Sequence, residues 1–137
     1  MKELTLEAKV EKLDDILSFI DQELEDAGCT MKAQMQIDLA AEEIFVNIAH
    51  YAYGSGEGNA TIQVETSKDE SKAEITFIDE GKPYNPLERK DPDVTLSAEE
   101  RQIGGLGIYI VKKSMDEVTY KFEDGKNILK MVSSWRK

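Results

Sequence analysis

Ala73-Glu74-Ile75-Thr76-Phe77-Ile78-Asp79-Glu80-Gly81-Lys82-Pro83 alternates apolar and polar residues for five positions and then breaks. The alternation predicts a half-buried strand, because successive strand side chains face opposite sides of a sheet. The strand runs directly into Asp79, and Glu80-Gly81-Lys82-Pro83 follows as a turn. A carboxylate held at a strand end can accept a hydrogen bond from an exocyclic amine such as that of adenine. Gly81 beside it lets backbone come close to a flat base. The same residues also make an ordinary β-turn, since Asp, Gly and Pro are all common there.

Upstream in the chain, Thr61-Ile62-Gln63-Val64-Glu65-Thr66 alternates in the same way. The polar Lys68-Asp69-Glu70-Ser71 separates the two runs, which predicts an antiparallel hairpin. Upstream, residues 31–53 hold no Gly or Pro, and Gly54-Ser55-Gly56 stops them, so a long helix is expected. An earlier helix starts near Val10, with Leu13, Ile16, Leu17, Ile20 and Leu24 at helical spacing and Ala27-Gly28 at its end. Residues 2–7 precede it as a short strand.

Downstream, residues 80–103 form a long loop with Pro83, Pro86 and Pro92, and loops of that length are functional or disordered. Gly107 to Met115 reads as a short helix that buries Ile108, Ile110, Val111 and Met115. A closing hairpin joins Val118–Phe122 to Ile128–Val132 through residues 123–127, which contain Asp124-Gly125. Trp135 stands as a last core anchor. The pattern predicts an α/β, or α+β, two-layer sandwich in a single domain over residues 1–137.

Composition narrows the function. At 137 residues the chain suits one sheet-and-helix core. Its net charge of −11, from 28 acidic against 17 basic residues, argues against direct nucleic-acid binding and against an anionic membrane surface. It is compatible with a basic protein partner. Met1-Lys2-Glu3-Leu4-Thr5 has no apolar leader, and no run approaches the roughly 20 apolar residues of a membrane span. Cys29 is the only cysteine, so no internal disulfide or cysteine zinc cluster is expected. A cytoplasmic setting is the natural expectation.

Two further motifs carry chemistry. Glu43 and Asn47 are four apart and share one face of the long helix, with His50 two turns beyond Glu43. An Asn carbonyl oxygen is a hard donor suited to Mg²⁺. A Glu can take a proton from an attacking hydroxyl. The alternative is a solvated acidic face, given Glu42 and Asp38 nearby. Gly104-Gly105-Leu106-Gly107 precedes Ile108-Tyr109-Ile110-Val111, and free N–H groups at a helix start favour an anion. The glycines could equally form a flexible hinge. No Gly-Lys-Ser or Gly-Lys-Thr is present, so this is not a Walker loop, and it lacks the dinucleotide G-x-G-x-x-G context.

The order of Glu43-x-x-x-Asn47, Asp79-x-Gly81 and Gly105-x-Gly107 resembles the GHKL ATPase superfamily. That resemblance implies the Bergerat ATP-binding fold, a mixed, mostly antiparallel sheet covered on one face by helices. The short length and the phrase Asp79-Glu80-Gly81-Lys82-Pro83-Tyr84-Asn85-Pro86-Leu87 resemble the anti-sigma-factor serine/threonine-kinase branch. Members of that branch bind a sigma factor and phosphorylate an anti-anti-sigma protein.

The resemblance implies roles residue by residue. Glu43 matches the general base, Asn47 the Mg²⁺ ligand, and His50 a histidine frequent three residues on. Asp79 and Gly81 match the adenine-reading pair. Gly104, Gly105, Leu106 and Gly107 match the phosphate-binding segment. Residues 84–106 would be the ATP lid, with Arg101 near the terminal phosphate. ATP and Mg²⁺ are the implied cofactors, and relatives of this kind often form homodimers, for which the first strand or helix offers a surface. The implied reaction is transfer of the γ-phosphate to a protein hydroxyl. The alternative is a nucleotide-gated, non-catalytic module that sequesters a sigma factor or other regulator; it would need Asn47, Asp79 and the glycines but no base.

Overall fold

The computed structural model describes residues 1–54, 56–88 and 105–136, and the side chains of Glu88 and Leu106 lie outside that description. Strand β1 (Lys2–Glu7) leads through a short 3₁₀ turn to helices α1 (Leu13–Asp26) and α2 (Met31–Tyr51). Strands β2 (Asn59–Ser67) and β3 (Lys72–Asp79) form the expected hairpin. A 3₁₀ turn at Pro86–Glu88, helix α3 (Gly105–Ser114) and strands β4 (Glu117–Glu123) and β5 (Lys126–Ser134) follow.

The five strands lie in the order β1-β2-β3-β5-β4, and every neighbouring pair is antiparallel. The expected mixed character therefore reduces to strand direction alone. β3 and β4 do run the same way, but β5 lies between them and pairs antiparallel with both. The closing turn is tighter than residues 123–127. Asp124 and Gly125 alone make it, with φ of 53° and 77°, the left-handed pair that a two-residue hairpin requires.

Alternation decides which face is covered. Ile62 and Val64 of β2, Ala73, Ile75 and Phe77 of β3, and Leu129 and Met131 of β5 all point inward and are buried. Ile16, Ile20 and Leu24 on α1 and Ile37, Ala40, Ala41, Ile44 and Phe45 on α2 close over them. α1 packs over β2, α2 reaches β3 and β5, and α3 packs against α2 and leads into β4. The small Ala40 and Ala41 let the long helix sit close to the layer beneath it. Thr30 caps α2, its hydroxyl accepting from the Ala33 N–H at 3.2 Å. Trp135 packs against the core, and its N–H bonds the Ser71 carbonyl at 2.9 Å.

Candidate functional site

The inward rows of β3 and β5 change character at the same end of the sheet. Ala73, Ile75 and Phe77 give way to Asp79; Met131 and Leu129 give way to Asn127. The register pairs Asp79 directly with Asn127, so the two polar side chains meet where the apolar face ends. Both are buried, at 5% and 6% exposure. Asn127 Nδ2 donates to Asp79 Oδ1 at 2.9 Å, and the Gly81 N–H donates to the same oxygen at 2.9 Å. No described residue donates to Oδ2, which leaves that oxygen for a donor entering from the cleft.

The turn after Asp79 is clamped to α2. The Lys82 N–H donates to the Ala52 carbonyl at 2.9 Å. A Cβ at Gly81 would stand 2.1 Å from that same carbonyl oxygen, so only glycine allows the approach. Here Gly81 fits the turn against the helix end, a role additional to the one the sequence suggests. Tyr53 supports the turn from behind. Its hydroxyl donates to the Asn59 carbonyl at 2.5 Å and accepts from the Glu80 N–H at 2.9 Å. Burial is the main reason its phenol is held above the ordinary value.

A cleft of about 480 Å³, partly open to solvent, lies between this polar end and α2. Ile44, Asn47, Ile48 and Tyr51 line it at helical spacing, facing Phe77, Asp79, Tyr84 and Tyr120. Asn47 and Asp79, far apart in sequence, thus share one cavity. No described hydrogen bond engages the Asn47 amide. His50 does not line the cleft; its side chain is exposed and its ring meets Tyr51 edge-on at 6.0 Å. A residue next to Tyr51 is rotated about 100° around the helix, enough to carry His50 off the lining arc.

Glu43 lies one turn before Asn47 and faces α3. A Cβ at Gly107 would stand 1.8 Å from the Glu43 carboxylate, so the glycine gives that carboxylate its place against the first turn of α3. Burial, and then Glu42 beside it, hold the Glu43 carboxyl above its ordinary value. Helix α3 begins at Gly105, two residues before the expected start, so Gly105 and Gly107 both belong to its first turn. Gly104, Arg101 and the lid between residues 89 and 104 fall outside the described residues, as does the Leu106 side chain.

Asn47 brings one hard amide oxygen to the cleft lining, a donor that could hold one position of a Mg²⁺ ion. Among the described residues no group of three or more His, Cys, Asp or Glu could hold a metal ion. A single amide oxygen from Asn47 matches an ion that takes most of its ligands from phosphate and water. Cys29, in the loop between α1 and α2, is remote from this chemistry. Burial, with Asp38 and Asp21 nearby, pushes its thiol up to about 11. Among the described residues no helix is long and apolar enough to cross a membrane.

Sequence reasoning missed Asn127 and Tyr120. Asn127 read as a turn residue, and Tyr120 as a strand position without a task. A signal did exist: Asn127, Leu129 and Met131 share one parity, so Asn127 is a polar residue at an inward position, as Asp79 is in its own strand.

Comparison with known proteins identifies the family and the fold. The chain is 30% identical over 107 residues to the serine-protein kinase RsbW of Listeria monocytogenes, covering 75% of this chain and 68% of that protein. It is 26% identical over 102 residues to the serine/threonine-protein kinase BtrW of Bordetella bronchiseptica, covering 74% and 71%. The crystal structure of the RsbU and RsbW domains of Rv1364c from Mycobacterium tuberculosis superposes with a TM-score of 0.64 at 12% identity, over 98% of this chain and 32% of that one. The histidine kinase domain of the Erythrobacter litoralis EL346 blue-light activated histidine kinase gives 0.57 at 15% identity, over 90% and 59%. These two likenesses establish the fold. The histidine kinase-like ATPase domain model matches residues 6–133, and the chain belongs to that family.

Proposed function

We propose that this domain binds ATP with Mg²⁺ and transfers the γ-phosphate to a serine or threonine hydroxyl of an anti-anti-sigma protein in the cytoplasm, with a sigma factor as its other partner. One observation carries the reading: Asn47 and Asp79 line a single cleft, and Glu43, one turn from Asn47, faces the first turn of α3. The serine-protein kinases to which the chain is similar support the choice of acceptor.

In this reading Asp79 accepts the adenine amine at Oδ2 while Gly81 and Asn127 hold Oδ1. Asn47 would hold Mg²⁺ through its amide oxygen, and the ion would supply charge neutralisation at the phosphates. The N–H groups of the first turn of α3 face phosphate oxygens, as helix starts do. Glu43 takes the proton of the acceptor hydroxyl as its oxygen bonds to the γ-phosphorus and the bond to the β–γ bridging oxygen breaks, releasing ADP. A carboxylate with raised proton affinity suits that task.

The second reading, a nucleotide-gated clamp, draws on the same glycine contact. Glu43 packs against Gly107 and is absent from the cleft lining, as a structural carboxylate would be. Incubating the protein with labelled ATP and lysate from its own source separates the two. A labelled small protein supports the kinase; ATP-dependent retention of a sigma factor without label supports the clamp.

A further inference from the structure

Asn127 has every hydrogen-bonding position occupied by the protein itself. Its Nδ2 donates to Asp79 Oδ1 at 2.9 Å and to the Lys82 carbonyl at 2.9 Å, with the Gly81 carbonyl at 3.4 Å. Its Oδ1 accepts from the Tyr84 N–H at 3.2 Å and from the Tyr120 hydroxyl. The orientation of the amide is unambiguous. The Tyr84 N–H can only donate, so it must meet the oxygen; the Lys82 carbonyl can only accept, so it must meet the nitrogen.

An amide so saturated has nothing left to offer a ligand. It does fix three neighbours. It holds the carboxylate plane of Asp79, it anchors the backbone from Gly81 to Tyr84, and through Tyr120 it ties both to β4. Tyr84 and Tyr120 line the cleft alongside Asp79. We propose that Asn127 is the positioning residue of the base-reading end of this site, orienting Asp79 so that Oδ2 alone is presented to an exocyclic amine. The proposal rests on the nucleotide reading above and adds to it the source of amine selectivity.

Replacement by Asp keeps the shape and inverts one half of the pattern. The Tyr84 N–H and the Tyr120 hydroxyl keep an acceptor, but a carboxylate oxygen now faces Asp79 Oδ1 and the Lys82 carbonyl. The titratable groups around position 127 are Asp79 from β3, Lys82 and Tyr84 from the following segment, and Tyr120 from β4. A protonated carboxyl would restore one donor towards Asp79, so the defect in Asn127→Asp should shrink as pH falls.

The test compares ADP with purine riboside 5′-diphosphate, which lacks the exocyclic amine, by calorimetry on the full chain. Wild type should prefer ADP by about tenfold or more, the worth of a hydrogen bond to a charged group. Asn127→Asp and Asn127→Leu should lose most of that preference at pH 7.5 while keeping affinity for the purine diphosphate. Both ligands carry the same phosphates, so the charge added in Asn127→Asp cancels in the ratio. Lowering the pH to 5.5 should restore part of the preference in Asn127→Asp only. Tyr120→Phe, which removes one hydroxyl from the hairpin, should lose a smaller part and serves if position 127 variants fail to fold. Variants that keep the wild-type preference, or that weaken both ligands equally, overturn the proposal. A wild type that binds neither ligand instead overturns the nucleotide reading itself.

Discussion

Helix α2 carries two carboxyls that burial holds above their ordinary range, and they face different seams. Asp38 lies against α1, where burial and the neighbouring Asp21 push it up to about 8. Glu43 lies against α3, raised by burial and by Glu42. Five residues separate them, about 140° around a helix, so one side chain cannot visit the other's seam. In the α1–α2 seam, Asp21 and Asp38 each keep an enclosed Oδ1 without a hydrogen-bond partner among the described residues, a strain that a proton on Asp38 would relieve. In the α2–α3 seam, a glycine helix start opens beside the carboxylate. A raised carboxyl alone therefore does not mark the chemistry; the surroundings do.

The comparison breaks most visibly in phosphate transfer. Glu43→Ala should lower transfer to a protein acceptor by about 10²–10⁴ and leave ADP affinity nearly unchanged, since the base acts on the acceptor's proton. Asp38→Asn should leave transfer at the wild-type rate. A kinase assay in which Glu43→Ala labels the acceptor as fast as wild type removes Glu43 from the base role. Asn47→Ala differs from both in losing nucleotide affinity together with transfer.

Next in size is the base-reading carboxylate. Asp79→Asn should weaken ADP binding by about 1.5–3 kcal/mol, roughly 10- to 100-fold, as one charge-assisted bond is lost. Unchanged affinity by calorimetry would take Asp79 out of the site.

The α2–α3 seam can also be probed sterically. Gly107→Ala places a methyl where the Glu43 carboxylate now lies and should cost about 1–3 kcal/mol in urea unfolding. Combining it with Glu43→Ala should recover part of that cost, because the clash partner is gone. Strict additivity of the two would mean that the side chains do not meet.

The smallest effect belongs to the α1–α2 seam. The folded-state value of Asp38, about 8, exceeds the unfolded value of about 3.9. Its contribution is thus fully present below pH 4 and is lost as pH rises through 8. Wild type should weaken progressively between about pH 4 and pH 8, and Asp38→Asn should flatten that slope. Asp38 is only half buried, so solvent screening limits the change to the order of 1–2 kcal/mol. Parallel pH profiles for the two proteins would refute the shared proton.

Most of the fold could be read from periodicity, because strands and helices impose different repeats on the same apolar residues. The parity of residues 73–79 found β3 and placed Asp79 at its end. Periodicity could not say that β5 would enter between β3 and β4, since pairing across the sheet is a tertiary choice; parity could put Asn127 inward but not opposite Asp79. It also could not choose between two apolar stripes on one helix. Met31, Met35 and Leu39 recur as a core stripe would, yet they stand 80%, 60% and 55% exposed, because Ile37, Ala40, Ala41 and Ile44 take the inner face. His50 shared the Glu43 face in projection, but the cleft opens towards Tyr51.

The place of β5 between β3 and β4 has a consequence for synthesis. During translation β1, β2 and β3 can leave the ribosome and pair while the rest is still unmade. β4 follows them, and among the described residues its only strand partner is the one behind it. The amide that steadies Asp79 belongs to that same late strand. A nascent chain halted before residue 126 should therefore carry Asn47 and Asp79 and still gain no protection from ADP against protease, whereas one released after residue 136 should.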